Sequence, residues 1–298
     1  MKKNFKKSSI SKAIILAGGS NTRMWPASSV ISKQLLPIYD KPMIFYSIST
    51  IMLMGIREIL IISTSKDIGK FESLLGDGSK LGIKIFYKVQ NAPRGIADSI
   101  IIGENFINNK NFVLLLGDNI FFGAQLGKFL KKCASQLKQK GAINFLSYTN
   151  SPKDYGIAKI EKGKIKKIIE KPKTFISNWA VTGLYFFSPE AIKVTKKIKP
   201  SKRRELEITA VNNYFLKNKK LDCKLLSRGF AWIDAGTYDT INEASNFIRL
   251  IEKRQGLKVG CIEEVAYRQK YISIQQFKKI IKDVKSPSYA DYLKSIIN

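Results

Sequence analysis

One feature constrains this chain more than any other. Through its first half, apolar runs of five to nine residues alternate with longer segments patterned for helices. AIILA (13–17), REILIIST (57–64), KIFYKVQ (84–90), NFVLLLGDN (111–119) and AINFLSYT (142–149) read as strands. Between them, PMIFYSISTIMLMG (42–55), SKDIGKFESLLGDG (65–78), GIADSIIIGENFI (95–107) and AQLGKFLKKCASQLKQKG (124–141) read as helices. A strand that leads through a helix into the next strand makes a parallel pair. The spacing therefore predicts an α/β fold, doubly wound and Rossmann-like, around a mostly parallel central sheet.

The second half is less regular. Residues 155–172 read as a β-hairpin about Lys162-Gly163, and 178–188 as a strand. A helix is expected over 205–218, a strand and turn over 224–237, and a helix over 238–256 that stops at Gly256. From 257 to 298 the pattern is helical. Residues 1–11 are basic and read as a flexible tail, and the apolar AIILA behind them is too short for a signal-peptide core.

Composition narrows the chemistry. The chain has 298 residues, enough for a sizeable core, and no apolar run long enough to span a membrane. Its three cysteines, Cys133, Cys223 and Cys261, form no C-x-x-C pair, so neither a zinc site nor a disulfide framework is expected, and a reducing cytoplasm is. Histidine is absent, which excludes Ser-His-Asp and Cys-His catalysis. The formal net charge is +29, from 52 basic and 23 acidic residues. Such a balance suits nucleic acid, a membrane surface or anionic substrates. Only nine of the basic residues are arginine, and the lysines spread from end to end, a pattern that base composition of a genome also produces. No RNA-binding signature with interleaved aromatics is present, so no nucleic-acid partner is expected.

Three places could carry chemistry. A glycine turn, Gly18-Gly19, follows the first strand, with Arg23 and Lys33 downstream. Glycines let backbone N–H groups approach a phosphate, and the two cations can neutralise its oxygens. The turn is neither G-x-G-x-x-G nor a P-loop, and many glycine turns are only turns. Asp118 ends the strand VLLL, and Asp234 ends another in AWIDAGT. Carboxylates at strand ends face the crevice where open α/β sheets bind ligands, and one or two of them with substrate phosphates suit Mg²⁺. Each could equally be a turn aspartate bonded to its own backbone. Glu170-Lys171 closes the hairpin and could meet a sugar hydroxyl and a phosphate, or simply be a solvated turn.

Taken together, the motifs resemble the glucose-1-phosphate thymidylyltransferase family of the sugar nucleotidyltransferase superfamily. That family opens L-A-G-G-S-G-T-R-[LM]-x-P and then S-K-Q-L-L-P-[VI]-Y-D-K-P-M-I. Here the segments are LAGGSNTRMWP and SKQLLPIYDKPMI. QNAPRGIADS, LLLGDNIFFG, YGIAKI, IIEKPK, SNWAVTGLYFF, ELEITAVNNYFL, GFAWIDAGT, EASNFI and IEKRQGLKVGCIEEVAYR follow in family order, over about 12–285. Related uridylyltransferases carry Pro-Lys-Glu in place of Ser-Lys-Gln, so Gln34 favours the thymidylyl branch.

The resemblance implies the nucleotide-diphospho-sugar transferase fold, as one domain over 12–256. Its nucleotide-binding half would cover about 12–150 and its sugar-binding half, with the added hairpin, about 151–240. It implies that Gly18, Gly19, Ser20, Thr22 and Arg23 hold the nucleoside triphosphate, that Lys33 grips its phosphates, and that Gln34, Gln90 and Gly95 meet the base. Gly156, Glu170, Lys171, Val181 and Glu205 would hold glucose 1-phosphate. Asp118 and Asp234 would bind Mg²⁺, and Arg23, Lys33, Lys171 and Asp118 would be catalytic. The implied reaction joins dTTP and glucose 1-phosphate into dTDP-glucose and pyrophosphate, feeding deoxysugar synthesis such as dTDP-rhamnose for surface polysaccharide. A cytoplasmic homotetramer is implied too. Four positions depart from the family: Asn21 for glycine, Ala210 for aspartate, and Ala235 and Tyr238 in the D-T-G-T-H turn. An asparagine in a glycine slot predicts positive φ or a relaxed turn at Asn21.

Overall fold

The computed structural model describes residues 10–19, 22–137, 140–161 and 164–297. Most of the expected tail, as far as residue 9, lies outside them, as do Ser20, Asn21 and the hairpin turn Lys162-Gly163. In chain order the elements begin with β1 (Lys12–Leu16), the short pair β2 (Pro37–Ile38) and β3 (Lys41–Pro42), α1 (Ile44–Leu53), β4 (Glu58–Ser63), α2 (Ile68–Leu75) and β5 (Lys84–Val89). Next come α3 (Asp98–Ile102), α4 (Glu104–Ile107), β6 (Phe112–Leu116), β7 (Asn119–Gly123), α5 (Leu126–Gln136) and β8 (Ala142–Tyr148). The hairpin is β9 (Gly156–Glu161) and β10 (Lys164–Glu170), followed by β11 (Trp179–Phe187), α6 (Glu190–Thr195), α7 (Ile208–Lys217), β12 (Leu221–Leu225) and β13 (Phe230–Asp234). The chain closes with α8 (Tyr238–Gln255), α9 (Ile262–Arg268), α10 (Ile274–Asp283) and α11 (Pro287–Ser295).

Among the described residues, one nine-stranded sheet organises the molecule. β1 lies between β4 and β6, parallel to both, and β5 lies parallel beyond β4. β11 runs antiparallel to β6, β8 and β9, and β12 follows β8 in parallel. β10 pairs antiparallel with β9. Only β10 and β11 therefore oppose β1, and the sheet is mostly parallel, as expected. Side chains alternate faces along a strand. In β1, Ala13 and Ile15 enter one core, with α1, α2, α5 and α9–α11, while Ile14 and Leu16 enter the other, with α3, α4, α6 and α7. A strand covered on both faces must be apolar throughout, which is why AIIL does not alternate.

Several boundaries differ from expectation, each for a local reason. The helix expected over 95–107 is two short ones, broken at Gly103. The strand expected over 111–119 ends at Leu116, and the chain turns at Gly117-Asp118. Asn119 then starts β7, which pairs antiparallel with β13. The single strand expected over 224–237 is two, β12 and β13, because Leu226–Gly229 turns between sheets. Helix α7 starts at Ile208, three residues later than expected, because Glu205–Glu207 are non-helical. Helix α8 ends as expected, with Gly256 left-handed at φ 70°.

A buried charge network ties the opening segment to the C-terminal helices. Lys41, only 2% exposed, meets Glu252 of α8 at 2.9 Å and also bonds Asp40. Glu252 accepts the Val259 amide at 2.9 Å, and Lys258 bonds both Asp40 and Glu252.

Candidate active site

The parallel strands β1, β5 and β6 deliver their carboxyl ends to one cleft. Ala17, past the end of β1, donates from its amide to the Ile62 carbonyl at 2.8 Å, and Gly117, past β6, donates to the Leu16 carbonyl at 2.9 Å. Gln90, past β5, donates from its amide to Ser63 at 2.8 Å. Beyond these last ladder bonds the backbone is released from the sheet, so Gly18-Gly19, Gln90 and Asp118 stand at the sheet's rim. The cleft holds about 450 Å³.

Among the described residues, fourteen of the expected site residues line this cleft: Gly18, Gly19, Arg23, Lys33, Gln34, Gln90, Gly95, Asp118, Gly156, Glu170, Lys171, Val181, Glu205 and Asp234. Ser20 lies outside the described residues. Thr22 begins a short 3₁₀ turn that carries Arg23. Residues from 18 to 236 in sequence thus meet within one cavity.

On one wall of the cleft, Gln34 and Gln90 are both buried. Ser32 donates to Gln34 Oε1 at 2.6 Å. Gln90 Nε2 donates to Asp98 Oδ2 at 2.9 Å and to the Gly95 carbonyl at 3.3 Å. Asp98 therefore sets the amide's orientation, a role that sequence reading missed. Gly95 holds φ 98° with its Cα facing the Leu206 backbone, where a Cβ would come within 2.6 Å of the Leu206 carbonyl oxygen. Only glycine joins these two walls at that spacing.

At the centre, Lys33 bonds Asp118 directly. Asn119 Nδ2 donates to Asp118 Oδ1 at 3.0 Å and to Asp234 Oδ1 at 3.4 Å. Its own Oδ1 accepts from Gly183 N at 2.9 Å and from Trp232 Nε1 at 2.6 Å. Asn119 is thus locked, and it holds the two carboxylates side by side. Burial alone would push the Asp118 carboxyl up, but the Lys33 ammonium outweighs it and the net displacement is downward. Asp234 goes the other way, pushed up to about 7 by burial and by the facing Asp118 charge.

That pair is a poor place for two uncompensated anions and a good place for a cation. No group of three or more carboxylate or sulfur side chains gathers for a metal among the described residues. Two hard oxygens with room for substrate oxygens match the way Mg²⁺ binds beside phosphates. The donor set fits such an ion.

At the far end, Lys171 follows β10 with a left-handed φ of 42°, its amide bonded to the Tyr155 carbonyl at 3.0 Å. A non-glycine residue held there is strained, which is common where a side chain must be aimed. Glu170 accepts from Thr209 Oγ1 at 2.6 Å. Arg203 was not expected from the sequence. It bonds Glu207 at 2.8 Å and stands 3.6 Å from Glu170 and 3.7 Å from Glu205, gathering three carboxylates that line the cleft. Tyr155 packs edge-on against Trp232 at 5.0 Å, and burial pushes its phenol up to about 12. Tyr155 adjoins Gly156 in YGIAKI and Arg203 precedes ELEIT, so proximity to quoted motifs was the one available signal for either.

The departures from the family pattern fall in place differently. Ala235 is fully buried and contributes its backbone, donating to the Asp118 carbonyl at 2.9 Å. Ala210 sits in the first turn of α7, its amide bonded to the Glu207 carbonyl at 3.0 Å. Tyr238 bonds the opening loop, as described below. The expectation for Asn21 lies outside the described residues.

A parallel sheet that presents a glycine turn, three cations and paired carboxylates at its carboxyl rim is the layout of an enzyme acting on nucleotides. Residues 12–250 match the nucleotidyl transferase family, and the chain belongs to it. It is similar to the glucose-1-phosphate thymidylyltransferases of Neisseria meningitidis serogroup A (44% identical, covering 96% of this chain and 99% of the relative) and Xanthomonas campestris pv. campestris (45%, covering 96% of each). Among solved structures it resembles a Bacillus anthracis protein described as a glucose-1-phosphate thymidylyltransferase in complex with a sucrose. That likeness has a TM-score of 0.75 and 36% identity, and covers 80% of this chain and 95% of the other. It also resembles a UDP-glucose pyrophosphorylase complexed with UDP-glucose, with a TM-score of 0.72 and 26% identity over 82% of this chain and all of the other.

Proposed function

We propose that the cleft transfers a thymidylyl group from dTTP to glucose 1-phosphate, forming dTDP-glucose and releasing pyrophosphate. The observation that carries this reading is the convergence of Arg23, Lys33, Lys171, Asp118 and Asp234 on one cavity of nucleotide size, in a chain with thymidylyltransferase relatives along nearly its whole length. The likeness to the Bacillus anthracis structure supports the same reading, and the likeness to the UDP-glucose pyrophosphorylase supports sugar-nucleotide chemistry in the cleft.

The chemistry suits a chain without histidine. The phosphate of glucose 1-phosphate is already an anionic nucleophile and needs no base. One of its oxygens attacks the α-phosphorus of dTTP in line, the α–β phosphoanhydride bond breaks, and pyrophosphate leaves with the bonding pair. The protein has to overcome repulsion between two anions and stabilise charge on the reacting phosphoryl group. Gly18 and Gly19 leave space for the triphosphate, and Arg23 and Lys33 neutralise its oxygens. Gln34 and Gln90 meet the thymine edge, with Gly95 behind it. Gly156, Glu170, Val181 and Glu205 hold the sugar, and Lys171 its phosphate. Asp118 and Asp234 would hold Mg²⁺, which would add positive charge at the phosphates. When substrates bind, Lys33 turns from Asp118 toward phosphate oxygens.

No described helix is long and apolar enough to cross a membrane. The expected compartment is a reducing cytoplasm. A homotetramer is the expected assembly, with one α/β unit over 12–256 in each subunit, and α9–α11 pack into the same core as α1, α2 and α5. The product would serve as a precursor of dTDP-deoxysugars.

The test is pyrophosphate release with glucose 1-phosphate against dTTP, UTP, CTP, ATP and GTP, with and without Mg²⁺. Turnover with dTTP that requires the metal is expected. No turnover with any nucleotide would refute the reading, and turnover with UTP equal to or above dTTP would move the specificity to uridylyl transfer.

A further inference from the structure

Tyr238 makes contacts that the family resemblance does not account for. It opens α8, directly after the turn that carries Asp234. Its hydroxyl donates to the Met24 carbonyl at 2.8 Å and accepts from the Ala27 amide at 3.3 Å. Those two backbone groups bracket the exposed Trp25 and Pro26, and Met24 directly follows Arg23. The loop here contains two three-residue 3₁₀ turns, Thr22–Met24 and Ala27–Ser29, the second closed by the Ser29 amide on the Pro26 carbonyl at 2.9 Å and the Val30 amide on the Ala27 carbonyl at 3.2 Å. From outside, the buried Met24 side chain and the Tyr238 hydroxyl hold the part nearest Arg23, while Lys66 and Lys70 bond the Ser29 and Val30 carbonyls at the far end.

A second contact involves the same turn. Gly236 lies against the guanidinium, and a Cβ placed there would stand 3.3 Å from Arg23 Nη2. The segment 234–238 therefore touches Arg23 at one residue and the backbone behind Arg23 at another. Tyr238 itself lies outside the cleft lining, so it acts only through these contacts.

We infer that Tyr238 is a positioning residue: its hydroxyl seats the Arg23-bearing loop against the Asp234 turn, so that guanidinium and carboxylate face the same triphosphate. This rests on reading the opening loop as the nucleotide cradle. The sugar end is held by other elements, with Glu170 bonded to Thr209 and standing near Arg203. Loss of the Tyr238 hydroxyl should therefore weaken use of the nucleotide and spare use of the sugar phosphate.

Tyr238→Phe keeps the ring and removes both bonds. On the full chain, each substrate is varied at saturating concentration of the other, with Arg23→Ala as a parallel control and a thermal melt of every variant. Two modest hydrogen bonds predict a fall of about tenfold in kcat/KM for dTTP, carried by KM, with an unchanged melt. KM for glucose 1-phosphate should stay within about twofold. An unchanged KM for dTTP in Tyr238→Phe, while Arg23→Ala raises it, overturns the Tyr238 inference alone. Equal losses for both substrates with a lowered melt overturn it too, as a general structural role. An unchanged KM for dTTP in Arg23→Ala removes the cradle reading, and the Tyr238 inference falls with it.

Discussion

At the scale of single residues, the two carboxylates are the most informative pair. Asp118 is pulled down by Lys33, while Asp234 is pushed up to about 7 by burial and by Asp118. Both then depend on a cation to be used together. Asp118→Asn should lower kcat by ~10²–10³ with an unchanged fold, as circular dichroism and pyrophosphate release would show; near-normal turnover would refute its role. The raised carboxyl also sets a pH direction. Below pH 7 Asp234 is mostly protonated in the folded protein and must release a proton before it can bind a metal. Mg²⁺ affinity should therefore strengthen as pH rises from 6 to 8. Thermal-shift titrations with Mg²⁺ at both ends of that window would show it, and an affinity independent of pH would contradict the assignment. Most of the site residues were legible because their neighbours spell family motifs. Asp98 and Asn119 were not assigned, though both lie in quoted motifs, because their work is to orient Gln90 and the carboxylate pair. Which partner an amide or carboxylate turns to is set by distance in space, not along the chain.

At the scale of elements, strand and helix identity followed hydrophobic period well and boundaries less well. Helix α8 illustrates the legible case: Thr237 accepts the Thr240 amide at 3.2 Å, Thr240 returns a bond to the Thr237 amide at 3.0 Å, and Gly256 stops the helix. Thr237→Ala should cost about 1 kcal/mol, measured by urea unfolding, and no loss would mean that the cap is redundant. It should also loosen the turn that holds Asp234, so Mg²⁺ affinity should fall in the same variant. The illegible case is residues 111–123. VLLLGDNIFFG reads as one strand running into a turn, yet it is two strands in different sheets. Local pattern cannot show that β7 leaves the main sheet, because the partner that draws it away, β13, lies more than a hundred residues downstream.

At the scale of the whole molecule, buried Lys41 and Glu252, with Asp40 and Lys258 at their outer edge, join the segment after the glycine turn to the C-terminal helices. Among the described residues, removing Glu252 would leave the buried Lys41 with only the more exposed Asp40 as a carboxylate partner. Glu252→Ala should destabilise by about 3 kcal/mol or more, read by chemical denaturation, whereas a change under about 1 kcal/mol would show that Asp40 and solvent compensate. What the sequence by itself determined is the alternating α/β plan, the order of the motifs and the kinds of group available for chemistry, since period, turn residues and charge are local properties. The missing histidine excluded Ser-His-Asp and Cys-His catalysis. Only the tertiary structure decided that β11 runs against β6 and carries the hairpin beside it. It alone decided that Asn119 yokes Asp118 to Asp234, that Arg203 gathers three carboxylates, and that Tyr238 reaches the loop of Arg23. These contacts join residues far apart in the chain, and packing of the two faces of one sheet brings them together.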